Sequence, residues 1–174
     1  MGISRIRVRR RPGGRHCGLL IAGGRAIPVA LGRAGPAAAK REGDGHTPVG
    51  RYRIVRALYR PDRMARPPTR IPLAAIAPDD GWSDDPADRR YNRPVKLPVA
   101  GSHERLWRDD ALYDLVLVMD HNTRPRIAGR GSAVFIHQAR PGFAPTEGCV
   151  ALARGELRRL LARLAPGAVI EIAS

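Results

Sequence analysis

With one exception, the clean apolar runs of this chain are too short to be anything but strands. GLLIA, LVLVM, SAVFI and AVIEI are each five residues long, and a glycine or an aspartate bounds each on at least one side. Runs of that length, rich in Val, Ile and Leu and bounded by turn residues, fit buried or half-buried strands and are far below the length a membrane span needs. The exception is GELRRLLARLAPG. There Leu157, Leu160, Leu161 and Leu164 recur at i, i+3, i+4 and i+7 with arginines opposite, the stripe of an amphipathic helix. Pro166-Gly167 is expected to stop that helix and AVIEI to follow as a final strand.

The remaining elements emerge from alternation and punctuation. Ser4–Arg10 alternates arginines with Ile6 and Val8 and reads as an edge strand. HCGLLIAGGRAIPVAL reads as a hairpin about Gly23-Gly24, and RYRIVRAL as a strand leaving a Gly/Asp loop. LYDLVLVMD (Leu112–Asp120) reads as a central strand, and GSAVFIH (Gly131–His137) as another. The stretch from Arg60 to Val99 is rich in Pro, Asp and Arg; so long an irregular segment is usually functional or mobile. The expectation is a single domain over 1–174, mainly β, a sandwich or partly closed barrel with one amphipathic helix in its C-terminal half.

The formal charge is +15, which suggests an acidic partner. Lysine occurs only at Lys40 and Lys96, however, and the arginines are spread along the chain among abundant Ala, Gly and Pro, as a GC-rich coding bias produces. No run interleaves aromatics with basic residues as a single-strand binder does, so composition argues against nucleic acid. The basic N-terminus has no extended apolar core behind it, and no secretory signal is read there. A chain of this kind works in the cytoplasm, or its leader is missing or unconventional.

The chemistry points to IHQARPGFAPTEGCVAL. His137 closes an apolar run, and Cys149 follows twelve residues later, directly after Gly148. A thiol attacks carbonyls as thiolate, which needs a base or a positive field nearby. A glycine before it permits close backbone approach, and the Gly148 and Cys149 N–H groups could form an oxyanion hole. Against this stands the plain reading of Cys149 as a small buried hydrophobe and His137 as a hydrogen-bonded surface residue. Cys17 lies far from Cys149 in sequence, and a free thiol at Cys149 is the preferred reading. His16, His46, His103 and His121 have no metal-ligand spacing, so neither a metal nor a cofactor is expected. Tyr91, Asn92 and Arg93 are either a structural turn or substrate contacts, and Arg140 is similarly poised, since arginine suits carboxylates.

The segment resembles the YkuD-type L,D-transpeptidases, whose hallmark is a strand-end His, a loop, and a Ser/Thr-His-Gly-Cys turn before an apolar residue. His137, Thr146, Gly148, Cys149 and Val150 match that pattern. KREGDGHTPVGRYRI, YNRPV, LWRDDALYDLVLVMD and GRGSAVFIHQ resemble further segments of the family, so the likeness runs through essentially the whole chain. It implies a β-sandwich with the active site at one end, Cys149 as nucleophile and His137 moving the proton. The implied substrate is a peptidoglycan tetrapeptide stem, cut after its third residue and joined to an amine, in the periplasm or cell wall. Thr146 and Glu147, beside the nucleophile, become candidate substrate contacts. Glu147 replaces the usual second His, Ala151 stands where many members carry Arg or Asn, and the His-to-Cys loop is short. Two other functions remain open: an L,D-carboxypeptidase or wall-protein-releasing hydrolase on the same scaffold, and a non-catalytic basic module binding peptidoglycan or nucleic acid.

Overall fold

The computed structural model describes residues 2–174. The N-terminal third contributes Ile3–Arg10 (β1), Cys17–Ala22 (β2), Arg25–Ala30 (β3), Gly35–Ala37 (β4), His46–Pro48 (β5) and Gly50–Tyr59 (β6). Short strands come next at Leu73–Ala75 (β7), Asp80–Ser83 (β8), Pro94–Lys96 (β9) and His103–Arg105 (β10). The site-bearing half holds Leu115–Met119 (β11), Phe135–Gln138 (β12), Val150–Leu152 (β13), the helix Arg154–Arg163 (α1) and Leu164–Ile172 (β14).

The main sheet runs β11-β12-β13-β3-β2-β1-β14-β6-β7, and β11 also pairs with β6. That extra pairing closes eight strands into a ring, so the arrangement is barrel-like, nearer to the partly closed barrel than to the sandwich of the two expected forms. β6 makes the closure possible through its length: residues 50–53 pair with β14, and residues 54–59 pair with β11. β1 is correspondingly not an edge. It is paired with β2 on one side and β14 on the other, with Ile3, Ile6 and Val8 buried.

Alternation then sorts the side chains of β11 into two cores. Leu115, Leu117 and Met119 face the barrel interior, where they join Ile6, Val8, Leu20 and Ile170. Val116 and Val118 face outward into a second cluster with Trp82, Leu106, Tyr113 and Phe135. All five residues of β11 are buried, as a central strand covered on both faces requires. The outer cover is the irregular Arg60–Val99 segment and the chain from there to Tyr113, including the three-stranded sheet β10-β8-β9.

The leucine stripe forms the expected helix, and Leu157, Leu160 and Leu161 enter the inner cluster. Burying each is worth about 1.5–3 kcal/mol. The helix ends at Arg163, before Pro166-Gly167, which lie inside β14. They fall where the register with β1 jumps from Ile3↔Leu164 to Arg5↔Val169, so the pair shapes an irregularity in a strand and does not cap the helix.

Candidate active site

The outward faces of β12 and β13 build the site. The two strands pair in parallel, with His137 opposite Ala151, so Phe135, His137 and the residue preceding β13 share the outer face. That residue is Cys149, which packs against the outer cluster. Its Sγ accepts the Phe135 N–H at 3.3 Å and donates to the Ala133 carbonyl, also at 3.3 Å. Both cysteines are free thiols.

The turn carrying Cys149 is tightly braced. Thr146 Oγ1 donates to the Cys149 carbonyl at 2.7 Å and accepts the Gly148 N–H at 3.1 Å. The Thr146 backbone bridges to the loop after β3, donating to the Leu31 carbonyl and accepting the Arg33 N–H. Gly148 has φ +144, and a Cβ there would lie 2.7 Å from the His46 carbonyl, so only glycine fits.

His137 is buried, and its ring packs edge-on to Tyr113 at 5.4 Å. Its Nδ1 is 2.8 Å from the Gln138 carbonyl, which can only accept; Nδ1 therefore carries the proton, and Nε2 holds a free lone pair. Phe135, whose N–H reaches Sγ, is two residues from His137, about 7 Å along the strand. Burial pushes the His137 imidazole down to about 4, and the cations of Arg140 and Arg108 push the same way. Burial likewise pushes the Cys149 thiol up to about 12, with Glu104 adding to the shift and the Phe135 N–H and Lys40 opposing it. At neutral pH the pair is a thiol and a neutral imidazole. Groups in those states could work only by general-base transfer during attack, without a standing thiolate.

Both groups line one pocket of about 150 Å³. Its walls are charged: Lys40, Arg108 and Arg140 on one hand, Glu42, Asp84 and Glu104 on the other. Glu104 sits 3.4 Å from the Tyr113 hydroxyl, and burial raises its pKa. Tyr113 also packs edge-on to Phe135, so one ring ties the imidazole to the outer core.

The other sequence candidates separate. Arg140 and Glu147 line the pocket. Arg140 has no ion-pair partner among the described residues, whereas Glu147 is largely exposed and paired with Arg33. Thr146 also lines it, but its hydroxyl is spent inside the turn. Tyr91, Asn92 and Arg93 do not line the pocket. Tyr91 donates to the Glu42 carboxylate, itself a wall residue. Asn92 accepts from Trp82 Nε1 and the Ala133 N–H, and donates to the His121 and Asn122 carbonyls. It thus holds Ala133, whose φ of +48 turns the carbonyl that Cys149 Sγ meets. Arg93 is exposed, with only its carbonyl engaged, by the Ser83 N–H.

Sequence reasoning missed Lys40, Glu42, Asp84, Glu104, Arg108 and Tyr113. Tyr113 alone carried a signal, as an aromatic opening the apolar run of β11. Glu104 lies on the short strand β10 and the other charged residues on loops, and their proximity depends on how the outer layer folds back.

A mainly β, barrel-like domain with a thiol and an imidazole in one outward groove is the class that fold and site define. A family model of the YkuD L,D-transpeptidase catalytic domain matches residues 17–172, and the chain belongs to that family. No curated protein and no solved structure matches it.

Proposed function

We propose that the groove carries out cysteine-dependent acyl transfer on peptidoglycan stem peptides. The observation that carries this reading is that the Cys149 thiol and the free Nε2 face of His137 belong to one pocket, in a chain of this family. Cys149 attacks the carbonyl of the third stem residue while His137 takes the thiol proton. The bond to the fourth residue breaks, and its amine leaves with that proton. The thioester then passes its acyl group to an amine. The Cys149 N–H is the donor left to stabilise the oxyanion, because the Gly148 N–H that the sequence also offered is spent on Thr146 Oγ1. Arg140 suits a stem carboxylate, and the carboxylates of Glu42, Asp84 and Glu104 suit an amine-bearing acceptor more than water. This reading places the work of the protein at the wall, outside the cytoplasmic membrane. No helix among the described residues is long and apolar enough to cross a membrane.

Purified muropeptides test it. A cross-linked dimer is the product of transfer, and a shortened stem alone marks the hydrolase. A carbapenem, mimicking the acyl donor, should add once to the intact protein and not to Cys149→Ala. If iodoacetamide labels the thiol but the carbapenem does not, the donor chemistry is wrong.

A further inference from the structure

A second cleft lies on the outer face of β6 and β11, away from the catalytic pocket, with a volume of about 720 Å³. A register irregularity in β6 creates much of it. The pairing with β11 shifts between Val118↔Arg56 and Met119↔Ile54. Ile54 and Ala57 point into the barrel core, so the two residues between them, Val55 and Arg56, both face out. Arg53, Arg56, Arg124 and Arg126 line the cleft, with Trp82 and the carboxylate of Asp120. None of the four arginines has an ion-pair partner among the described residues. Asp120, whose Oδ1 accepts the Arg53 backbone N–H at 2.7 Å, sets one carboxylate against four guanidiniums, so most of the positive charge of the cleft stays unbalanced.

Concentrating unpaired guanidiniums around one concavity is unfavourable unless an anion fills it. Arg126 shows the crowding: burial and the charge of Arg93 both lower its pKa, and it makes one bond, Nε to the Asn92 carbonyl at 3.3 Å. The remaining N–H groups form planar forks that match phosphate oxygens two at a time. Trp82 is buried, with its indole N–H bonded to Asn92, so the cleft exposes no platform for stacking a base. That favours phosphates without bases over nucleic acid.

We propose that this cleft binds a phosphate-rich polymer chain, Arg53, Arg56, Arg124 and Arg126 taking successive phosphates while the catalytic groove stays open. The site is independent of the acyl-transfer reading and stands or falls separately.

Calorimetric titration of the full chain at about 150 mM salt tests it, with tripolyphosphate and inorganic phosphate as probes; at that ionic strength charges beyond about 8 Å are screened, so diffuse attraction is suppressed. Tripolyphosphate should bind one to one, at least about tenfold tighter than inorganic phosphate, because it engages several forks at once. Arg53→Gln/Arg56→Gln/Arg124→Gln should weaken it about tenfold or more. Arg5→Gln/Arg7→Gln/Arg9→Gln on β1 removes the same charge, taking the chain from +15 to +12, and should change binding less than about threefold. Both sets alter solvent-facing positions, and unchanged iodoacetamide labelling of Cys149 verifies the fold. Equal losses in the two sets, or phosphate binding as tightly as tripolyphosphate, would overturn the site in favour of bulk charge.

Discussion

Glu147 stands two residues before Cys149, and its carboxylate turns away to Arg33 on the loop after β3. An exposed pair of that kind contributes little through solvent. Glu147→Gln should therefore leave the pH dependence of Cys149 alkylation almost unmoved. Arg140, on the loop between His137 and Cys149, is not its partner. The carboxylate that bears on the thiol is Glu104, which raises the Cys149 pKa from across the pocket. Glu104→Gln should shift the alkylation profile to lower pH, because an ionised neighbour disfavouring the thiolate is gone. The same iodoacetamide series on both variants decides the matter, and a larger shift from Glu147→Gln would reverse the assignment. Cys149→Ala should abolish turnover with the fold intact, whereas Cys17→Ser, whose thiol only reaches the Gly13 carbonyl, should be silent.

Among the elements, the turn from Thr146 into β13 decides where the Cys149 thiol sits. Thr146→Val removes the donor to the Cys149 carbonyl and leaves the buried Gly148 N–H without its acceptor. With an orphaned buried group costing about 1–3 kcal/mol, denaturant midpoints should show a loss on the order of 2 kcal/mol, and turnover should fall with it. Thr146→Ser keeps both bonds and should recover most of each. This turn was legible in the sequence because its parts are local: a Thr, a Gly and a Cys within four residues, and a histidine ending an apolar run. The hairpin of β2 and β3 and the helix α1 were legible for the same reason. The closure of the ring was not. Nothing in RYRIVRAL says that its two halves pair with different strands, and without that the sheet reads as open. Asn92 was legible as a residue of interest but not in its role, since four partners from three distant segments define it.

Taken whole, the molecule keeps its reactive pair neutral by burial, and that has a cost at both ends of the pH scale. The folded imidazole of His137 ionises at about 4 against an ordinary 6.5. Below pH 6.5 the unfolded chain therefore binds a proton that the native state refuses, and stability falls until about pH 4, by about 3 kcal/mol in all. The folded thiol of Cys149 ionises at about 12 against 9.0, so stability also falls as pH rises above 9. Between about 6.5 and 9 neither group contributes a slope. Asp44, held below the usual carboxylate range with Lys40 beside it, acts only under pH 4 and does not blur the acid arm. Denaturant midpoints measured across pH should trace this plateau. His137→Asn should reduce the acid shoulder and leave the part that His121 contributes, since burial lowers its pKa too; Cys149→Ser should remove the slope that begins at 9 and leave the one that the buried tyrosines add above 10.

β11, dry on both faces, also separates two layers that need not open together. The inner layer is locked by a ring of paired strands, while the outer one is draped over Val116, Val118 and Phe135 by short strands and loops. Partial opening of a protein tracks such seams, with the weaker layer lifting first. Cys149 lies on that seam. In mild denaturant a bulky thiol reagent should reach it well before the barrel melts, while the amides of β11 remain protected from hydrogen exchange through their bonds to β6 and β12. Inactivation would then precede unfolding, and the protein would lose its chemistry while most of its backbone was still in place.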